Sequence, residues 1–318
     1  MKILIFGAGA IGSAFGGFLS KTEHEIFLYG RARHLSKVKR DGLIVEGIFG
    51  KHRFRNLKVV TQARMLQKFK RQFDFILLCV KSYDTERAAK EIKKIVSPET
   101  LVVSLQNGLG NIETLHRYFP KKQVLAGRVI FGVDLSRGKI KITVWGGDVL
   151  VGETDQKNVT SRATQLAKLF SSTGIKSKAV PNVQKWLWAK AIYNCALNPL
   201  ASLFNTHYGA LLEAGYTREI METIVRECYQ VATAWNIHLE PKSAQSYIKL
   251  LFGKLIPDTY DHRPSMLADL KRGKRTEIRY LNGAIVRMGT QKRVSVFVNE
   301  WIVSLIQIKE SLLGKNNG

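Results

Sequence analysis

The sequence predicts an α/β protein: an N-terminal domain built on a parallel sheet, residues 1–180, followed by an all-α domain, residues 181–318. Three observations carry this prediction. Residues 3–6 form an unbroken apolar run, followed at once by Gly7, Gly9 and Gly12 in G-x-G-x-x-G spacing. That is the pattern of a strand buried on both faces that turns tightly into a helix. Short apolar runs recur up to residue 180 with helical stretches among them, whereas beyond residue 183 strand signals stop and long helical periods take over.

The glycine stretch makes the first domain Rossmann-type. Gly7 permits the tight turn, Gly9 lets a pyrophosphate approach the backbone, and Gly12 lets the helix that begins near Ala10 sit close to the strand. The N–H groups of the helix start, at Ala10 and Ile11, then face the phosphates. A plain glycine turn is the alternative, and the strand before it and the apolar helix over 11–19 weigh against that. Residues 24–29 read as a second strand that runs into Gly30, Arg31, Arg33 and Lys37. An acid at the end of this strand would bind the 2′-hydroxyl of NAD, whereas arginine accommodates the 2′-phosphate of NADP. No acid stands there, so Arg31 selects NADP; an exposed basic loop is the other reading.

Short strands are expected at 43–46 and 57–60, a buried strand at 73–80 ending in Lys81, a helix over 85–96, and a strand at 101–105 ending in Gln106, Asn107 and Gly108. Ligands bind at the carboxyl ends of parallel strands, which places Lys81 and Asn107 beside the glycine loop. A surface lysine and a common Asn-Gly turn are the plainer readings. Residues 123–152 read as extended segments in antiparallel pairing, with turns at 136–138 and 146–148. A helix over 158–171 and a strand at 174–180 complete the domain before Pro181.

In the second domain Lys190, Asn194 and Asn198 are spaced four apart and line one helix face. Asparagine is a poor helix former, so two on one face of an otherwise apolar helix need a reason. Pro199 marks the end of this helix or a kink. A solvated lysine with capping asparagines is the alternative. Met221, Ile224, Val225, Cys228, Val231, Ala232 and Trp235 trace a core stripe. Residues 275–288 and 295–313 give further amphipathic helices, whose stripes pack within one chain or between the two chains of a homodimer. Ser265 and Asp269 share another helix face, and Glu277 is the only acid between Lys271 and Arg293.

Composition narrows the partners. With 318 residues, 45% of them hydrophobic, the chain can build real cores. No apolar run approaches the roughly 20 residues needed to cross a bilayer, so a soluble, cytoplasmic protein is expected. Cys79, Cys195 and Cys228 are the three cysteines, with no C-x-x-C; neither a disulfide framework nor a metal site is expected. The 50 Lys and Arg outweigh 25 Asp and Glu by +25, which favours anionic ligands. These cations are spread widely, without a basic tail or a helix-turn-helix pattern. A small-molecule partner is therefore expected, and neither nucleic acid nor membrane.

Taken in order, the glycine fingerprint, Lys81, the Asn107 turn, Lys190 with Asn194, Asn198, Pro199 and Leu200, and Ser265, Met266, Leu267 and Asp269 followed by Thr276 and Glu277 resemble the ketopantoate reductases (2-dehydropantoate 2-reductases). The resemblance runs from Met1 to about Gly289. It implies NADPH-dependent reduction of ketopantoate to pantoate, on the route to pantothenate and coenzyme A. It also implies Lys190 as general acid, Asn194, Asn198, Ser265 and Glu277 around the substrate, and Lys81 and Asn107 at the nicotinamide and ribose side. Asn107 would touch substrate as well as cofactor, and Glu277 would serve catalysis and the cofactor. The chemistry suits these residue types: hydride delivery builds negative charge on the ketone oxygen, which an ammonium can stabilise and protonate. A free lysine titrates near about 10.4, so burial or basic neighbours would help it act near neutrality. Residues 141–147 lack the histidine that many relatives carry in this region, with Trp145 nearby instead. Two rival readings remain, a reductase of another branched 2-oxo acid and a non-catalytic NADP-binding sensor.

Overall fold

The structure, a computed structural model, describes residues 1–315. The chain forms two compact units, one of Met1–Gln106 with Asn111–Gln184, the other of Asn107–Gly110 with the residues from Lys185 onward. Four residues in the middle of the sequence thus fold with the second, helical unit.

The first unit runs β1 (Lys2–Phe6), α1 (Ala10–Leu19), β2 (Glu25–Tyr29), α2 (Ala32–Asp41), β3 (Leu43–Gly47), β4 (His52–Phe54), β5 (Lys58–Val60), β6 (Phe75–Leu78), α3 (Thr85–Lys93), β7 (Leu101–Ser104), α4 (Asn111–His116), β8 (Val124–Arg128), β9 (Phe131–Ser136), β10 (Lys139–Trp145), β11 (Val149–Glu153), α5 (Ser161–Ser171) and β12 (Ser177–Asn182). Its main sheet has the order β12-β11-β8-β7-β6-β1-β2-β5. β1 lies parallel to both β2 and β6. Ile3, Leu4 and Ile5 have no exposed surface, which explains why this strand is continuously apolar rather than alternating. The chain leaves β1 toward β2 and β5 and returns to β6 on the other side. The crevice outside the carboxyl ends of β1 and β6 is therefore the switch point at which open α/β sheets bind ligands.

Two expectations need correcting here. Residues 123–152 do not form one antiparallel extension. β8 joins the main sheet parallel to β7, and β11 returns antiparallel to β8. β9 and β10 do form an antiparallel hairpin, but it joins β3 and β4 in a second sheet of order β4-β3-β10-β9, with β10 parallel to β3. β8 and β11 are buried almost without a break, as strands covered on both faces are, whereas β9 and β10 alternate, so the two sheets differ in burial pattern. β12 also runs through Pro181 to Asn182 instead of stopping before the proline. β12 is the edge strand of its sheet, where a missing N–H can face away from the ladder.

The helical unit contains α6 (Gln184–Leu203), α7 (Tyr208–Glu213), α8 (Gly215–Ala234), α9 (Ala244–Leu250), α10 (Ser265–Lys271), α11 (Asn282–Lys292) and α12 (Phe297–Lys315). Among the described residues no helix is long and apolar enough to cross a membrane. The stripe on α8 is core from Met221 to Ala232. Trp235 departs from it: it caps the helix, remains partly exposed, and its indole N–H donates to the Met288 carbonyl at 3.0 Å.

α6 does not end at Pro199 but continues to Leu203. A proline inside a helix removes the N–H that would bond the carbonyl four residues earlier, here Cys195. That carbonyl instead accepts from Asn282 Nδ2 at 3.1 Å. The same amide nitrogen donates to Asn299 Oδ1 at 2.9 Å, and Asn299 Nδ2 donates to Glu227 Oε2 at 2.6 Å. Glu227 also accepts the backbone N–H groups of Val298 and Asn299 at 2.9 and 3.0 Å. A carboxylate from α8 thereby caps the first turn of α12, where negative charge is favoured.

Asn282 and Asn299 are fully buried, so losing a partner leaves a polar group unsatisfied. Asn282→Ala should lower unfolding stability by about 1–3 kcal/mol, read as a lower denaturant midpoint with an unchanged far-UV spectrum. An unaltered midpoint would show that the Cys195 carbonyl does not need this donor.

Candidate active site

The glycine loop closes β1 onto α1. Gly7 has φ +113, a conformation that L side chains rarely adopt. Its N–H and that of Ala8 donate to the Tyr29 carbonyl at 3.0 and 2.8 Å, so the end of β2 holds the loop from one side. A Cβ at Gly7 would come within 2.6 Å of the Val80 nitrogen, and a Cβ at Gly12 within 2.2 Å of the Gly7 carbonyl oxygen. At Gly9 a Cβ would meet nothing within 4 Å. The loop is thus tight where strand and helix approach and open over Gly9. Gly9 is also the N-cap of α1 and provides no side-chain cap, leaving the first-turn N–H groups, Ala10 and Ile11 included, suited to an anion. These residues fit a dinucleotide pyrophosphate.

Arg31 is the N-cap of α2 and, like Arg33, is exposed. A Cβ on the preceding Gly30 would lie 3.0 Å from Ala8 Cβ, so Arg31 begins one residue from the glycine loop. His34, buried on α2, ties this region together. Its Nδ1 accepts the Gly138 N–H at 3.1 Å, and its Nε2 lies 3.1 Å from Ser13 Oγ on α1. The same Nδ1 also lies 3.1 Å from the Ser136 carbonyl oxygen. The short α2 is anchored by this ring both to the glycine helix and to the β9–β10 turn.

At the ends of β6 and β7 a buried network holds the loop that carries Lys81. Gln106 Nε2 donates to the Val80 carbonyl at 3.0 Å and to Thr85 Oγ1 at 2.7 Å. Gln106 Oε1 accepts from Ser104 Oγ at 3.0 Å. The Thr85 hydroxyl donates to Asn111 Oδ1 at 2.8 Å, and Asn111 Nδ2 donates to Ser82 Oγ at 3.2 Å. Lys81 is half-buried and immediately precedes the short helical turn Ser82–Asp84. Sequence reasoning singled out Lys81, gave Thr85 and Asn111 no role in a site, and named Gln106 only as a residue at the end of a strand. The buried amides of Gln106 and Asn111 were the available signal.

In the helical unit the structure joins residues far apart in sequence. Lys190 Nζ donates a short hydrogen bond to Asn107 Oδ1. The Asn107–Gly110 loop is fixed by the Leu109 N–H, which donates to the Tyr280 carbonyl at 2.8 Å. Gly108, at φ +82, passes so close to Tyr280 that a Cβ would lie 2.6 Å from its carbonyl oxygen. Glu277, buried, caps the turn Ile278–Tyr280 against which this loop rests. Lys190, Asn107 and the Glu277 turn are therefore linked through one loop.

Asn194 and Asn198 are buried at the next two turns of α6. The Oδ1 of Asn198 accepts from the Tyr208 hydroxyl at 2.5 Å, which leaves its NH2 as the group to offer elsewhere. Burial raises the Tyr208 pKa well above its usual value, keeping that hydroxyl a donor. Tyr193, whose hydroxyl lies 2.6 Å from Thr259 Oγ1, is pushed up to about 12 by burial. Ser265 stands at the exposed first position of α10, with Asp269 buried one turn on. Trp145 is part of an aromatic cluster of the first unit, its ring 4.3 Å from Phe131 and 4.8 Å from Phe49 by centroids.

Known proteins resemble the chain throughout its length. The family model described as ketopantoate reductase PanE/ApbA matches residues 3–156, and that for the PanE/ApbA C terminal matches residues 182–310. The 2-dehydropantoate 2-reductase of Aquifex aeolicus is 39% identical over 98% of this chain and 97% of its own. That of Pyrococcus horikoshii is 33% identical over 99% of each. Among solved structures, a PanE/ApbA family ketopantoate reductase from Ralstonia eutropha superposes with a TM-score of 0.86 at 30% identity, covering 98% of this chain and 99% of that one. A D-mandelate dehydrogenase solved with NADH and anilino(oxo)acetate gives 0.88 at 27% identity, with the same coverage.

Burial lowers the pKa of His34 from its ordinary 6.5. A group whose folded pKa is depressed stabilises the fold above its unfolded value and loses that contribution as pH falls. The thermal midpoint should therefore drop as pH falls below 6.5, and His34→Gln should remove part of that slope. An unchanged slope in the variant would assign the dependence to His24 and His116, which burial also lowers.

Proposed function

Because the chain belongs to the ketopantoate reductase family, we propose that it reduces ketopantoate to pantoate with NADPH, on the route to pantothenate and coenzyme A. The observation that carries this reading is the hydrogen bond from Lys190 Nζ to Asn107 Oδ1, on a helix face that continues through Asn194 and Asn198. NADPH, when bound, supplies the hydride that adds to the ketone carbon. Gly7, Gly9, Gly12 and the N–H groups of Ala10 and Ile11 would hold its pyrophosphate, Arg31 its 2′-phosphate, and Lys81, Asn107 and Glu277 its nicotinamide and ribose end.

The residues of the helical unit then have separate tasks. An ammonium has three donors; one goes to Asn107, and this fixes the direction in which Lys190 points. As charge grows on the ketone oxygen, Lys190 stabilises it and transfers a proton, which yields the alcohol and a neutral amine that water reprotonates. Asn198, its oxygen engaged by Tyr208, offers NH2 to an anionic carboxylate. Asn194 and Ser265 add hydrogen bonds around the substrate, and Glu277 accepts from its hydroxyl. The domain division in this reading is a cofactor domain of residues 1–180 and a substrate domain of residues 181–318.

A second reading, reduction of another branched 2-oxo acid, is favoured by the equally good superposition of D-mandelate dehydrogenase. A cofactor sensor has less support, since it would not need Lys190, Asn194 and Glu277. We place the reaction in the cytoplasm, in keeping with three free thiols, and take the working form as a homodimer without a nucleic-acid or membrane partner.

Purified protein should oxidise NADPH when given ketopantoate and do so faster than with other 2-oxo acids; the reverse ranking would select the second reading. Lys190→Ala should lower kcat by on the order of 10²–10⁴ with the fold intact. Arg31→Ala should raise KM for NADPH by roughly 10- to 100-fold, the equivalent of a lost charge-assisted phosphate bond, and leave KM for NADH nearly unchanged. Equal effects on both cofactors would remove Arg31 from 2′-phosphate selection.

A further inference from the structure

A residue outside α6 decides which end of the Asn198 amide is free. α6 ends at Leu203, Asn205 turns the chain at φ +54, and α7 begins with Tyr208. The phenol of Tyr208 returns to Asn198 and donates to its Oδ1 at 2.5 Å, and the residue is 1% exposed. The ring is pinned where it stands. The Tyr208 N–H donates to the His262 carbonyl at 3.1 Å, and the Gly209 N–H to the Tyr260 carbonyl at 2.8 Å. The ring centroid lies 5.1 Å from that of His262 and 5.7 Å, edge to face, from that of Tyr193. A Cβ on Gly209 would come within 2.3 Å of the Tyr260 ring, so only glycine lets the chain pass here.

This hydrogen bond gives the amide a single orientation. Among the described residues the Tyr208 hydroxyl has no other acceptor, and Tyr193 keeps its own hydroxyl at Thr259 Oγ1, 2.6 Å away. Turning the Asn198 amide over would set its NH2 against the phenol. The phenol proton would then be buried without an acceptor, at the full desolvation cost of that donor. Ionising the phenol would remove the conflict, but burial keeps it protonated by raising its pKa well above the usual value. The free end of the amide is therefore NH2, a donor with no capacity to accept. Asn194, one turn earlier, has no such partner among the described residues and can present either end. Fixed polarity belongs to Asn198.

We propose that Tyr208 is a positioning residue that makes the substrate site select an acceptor-only group, the carboxylate of a 2-oxo acid, over a neutral carboxamide of the same shape. A carboxylate accepts from the Asn198 NH2 through either oxygen, in a charge-assisted bond. A carboxamide can meet that NH2 with one of its two ends only, and its other end sets donor against donor. A site of fixed polarity rejects the wrong ligand by leaving buried polar groups unpaired. This rests on the proposed reduction of a 2-oxo acid, in which Asn198 faces the substrate carboxylate.

The test is kcat and KM with NADPH for ketopantoate and for its primary carboxamide. Tyr208→Phe keeps the ring and loses only the hydroxyl. It should raise KM for ketopantoate about 10-fold, the equivalent of one charge-assisted hydrogen bond, with kcat and KM for NADPH nearly unchanged. The acid-to-amide ratio of kcat/KM should narrow by a similar factor. In Asn198→Ala the ratio should already be narrowed, and adding Tyr208→Phe should change it no further, because no amide is left to orient. Asn198→Asp keeps the phenol bond and turns an oxygen outward, so it should reverse the preference toward the amide. A structural Tyr208 would instead affect acid and amide alike and act equally in the Asn198→Ala background. Either result would overturn the proposal, as would a preference for the acid that survives in Asn198→Asp. In all these cases wild-type turnover of ketopantoate leaves the reaction standing, whereas a wild type that reduces no 2-oxo acid would sink both.

Discussion

Pro199 leaves one carbonyl in the middle of α6 without its helical partner, and the helical unit is assembled around supplying another. Asn282 brings α11 to that carbonyl, Asn299 brings α12 to Asn282, and Glu227 ties α12 to α8. Each link is buried, so none can be exchanged for water without leaving a desolvated polar group behind. The constraint starts one residue beyond Asn198 and one beyond Asn194, at Pro199 and Cys195. The face that carries Lys190, Asn194 and Asn198 is therefore fixed from behind by the same network that joins the four helices. A continuous helix without proline would have satisfied its own carbonyl and given α11 no reason to approach at this point.

The sheet unit depends on an absence of a different kind. Gly12 approaches the Gly7 carbonyl so closely that no Cβ fits, and Gly7 fits against Val80 for the same reason. α1 can consequently start directly above β1 and direct its first N–H groups at the switch point of the sheet. In one unit a missing N–H creates a need that distant side chains must meet. In the other, missing side chains let backbone elements approach within distances that any other residue would forbid. The buried relay from Ser104 through Gln106, Thr85 and Asn111 to Ser82 complements this by holding the loop of Lys81, which has little regular structure of its own.

What was legible in the sequence was what is local. The α/β class, the helical second part, β1, α1, and the face of Lys190, Asn194 and Asn198 all follow from period and spacing over a dozen residues. What escaped depends on partners tens of residues away. Nothing near Pro199 announces that Asn282 will supply the missing donor, so the proline read as a helix end or a kink. Within residues 123–152 β8 is a continuous buried run in the main sheet and β10 alternates in the second, a difference that a reading of the whole stretch as one extension passes over. Asn107 read as the end of a strand, yet its loop folds with the helical unit because Tyr280 and Lys190 offer hydrogen bonds there. Nor does the spacing of Asn198 on its helix face reveal that Tyr208, ten residues on, engages its amide oxygen.

The net charge of +25 acts on the two proposed interactions in opposite directions. Toward anions it is favourable over a distance: a phosphorylated cofactor and a 2-oxo carboxylate are both drawn in, and the attraction fades over roughly 8 Å at physiological salt. Toward a second copy of the same chain the same field is repulsive, and screening of that range does not remove it where surfaces touch. A self-association surface must therefore be a place from which ammonium and guanidinium groups have been cleared. On α12 the Lys309 ammonium folds back onto the Ser202 and Leu203 carbonyls, where burial lowers its pKa. The basicity that suits the ligands is thus compatible with assembly only because its distribution over the chain is uneven.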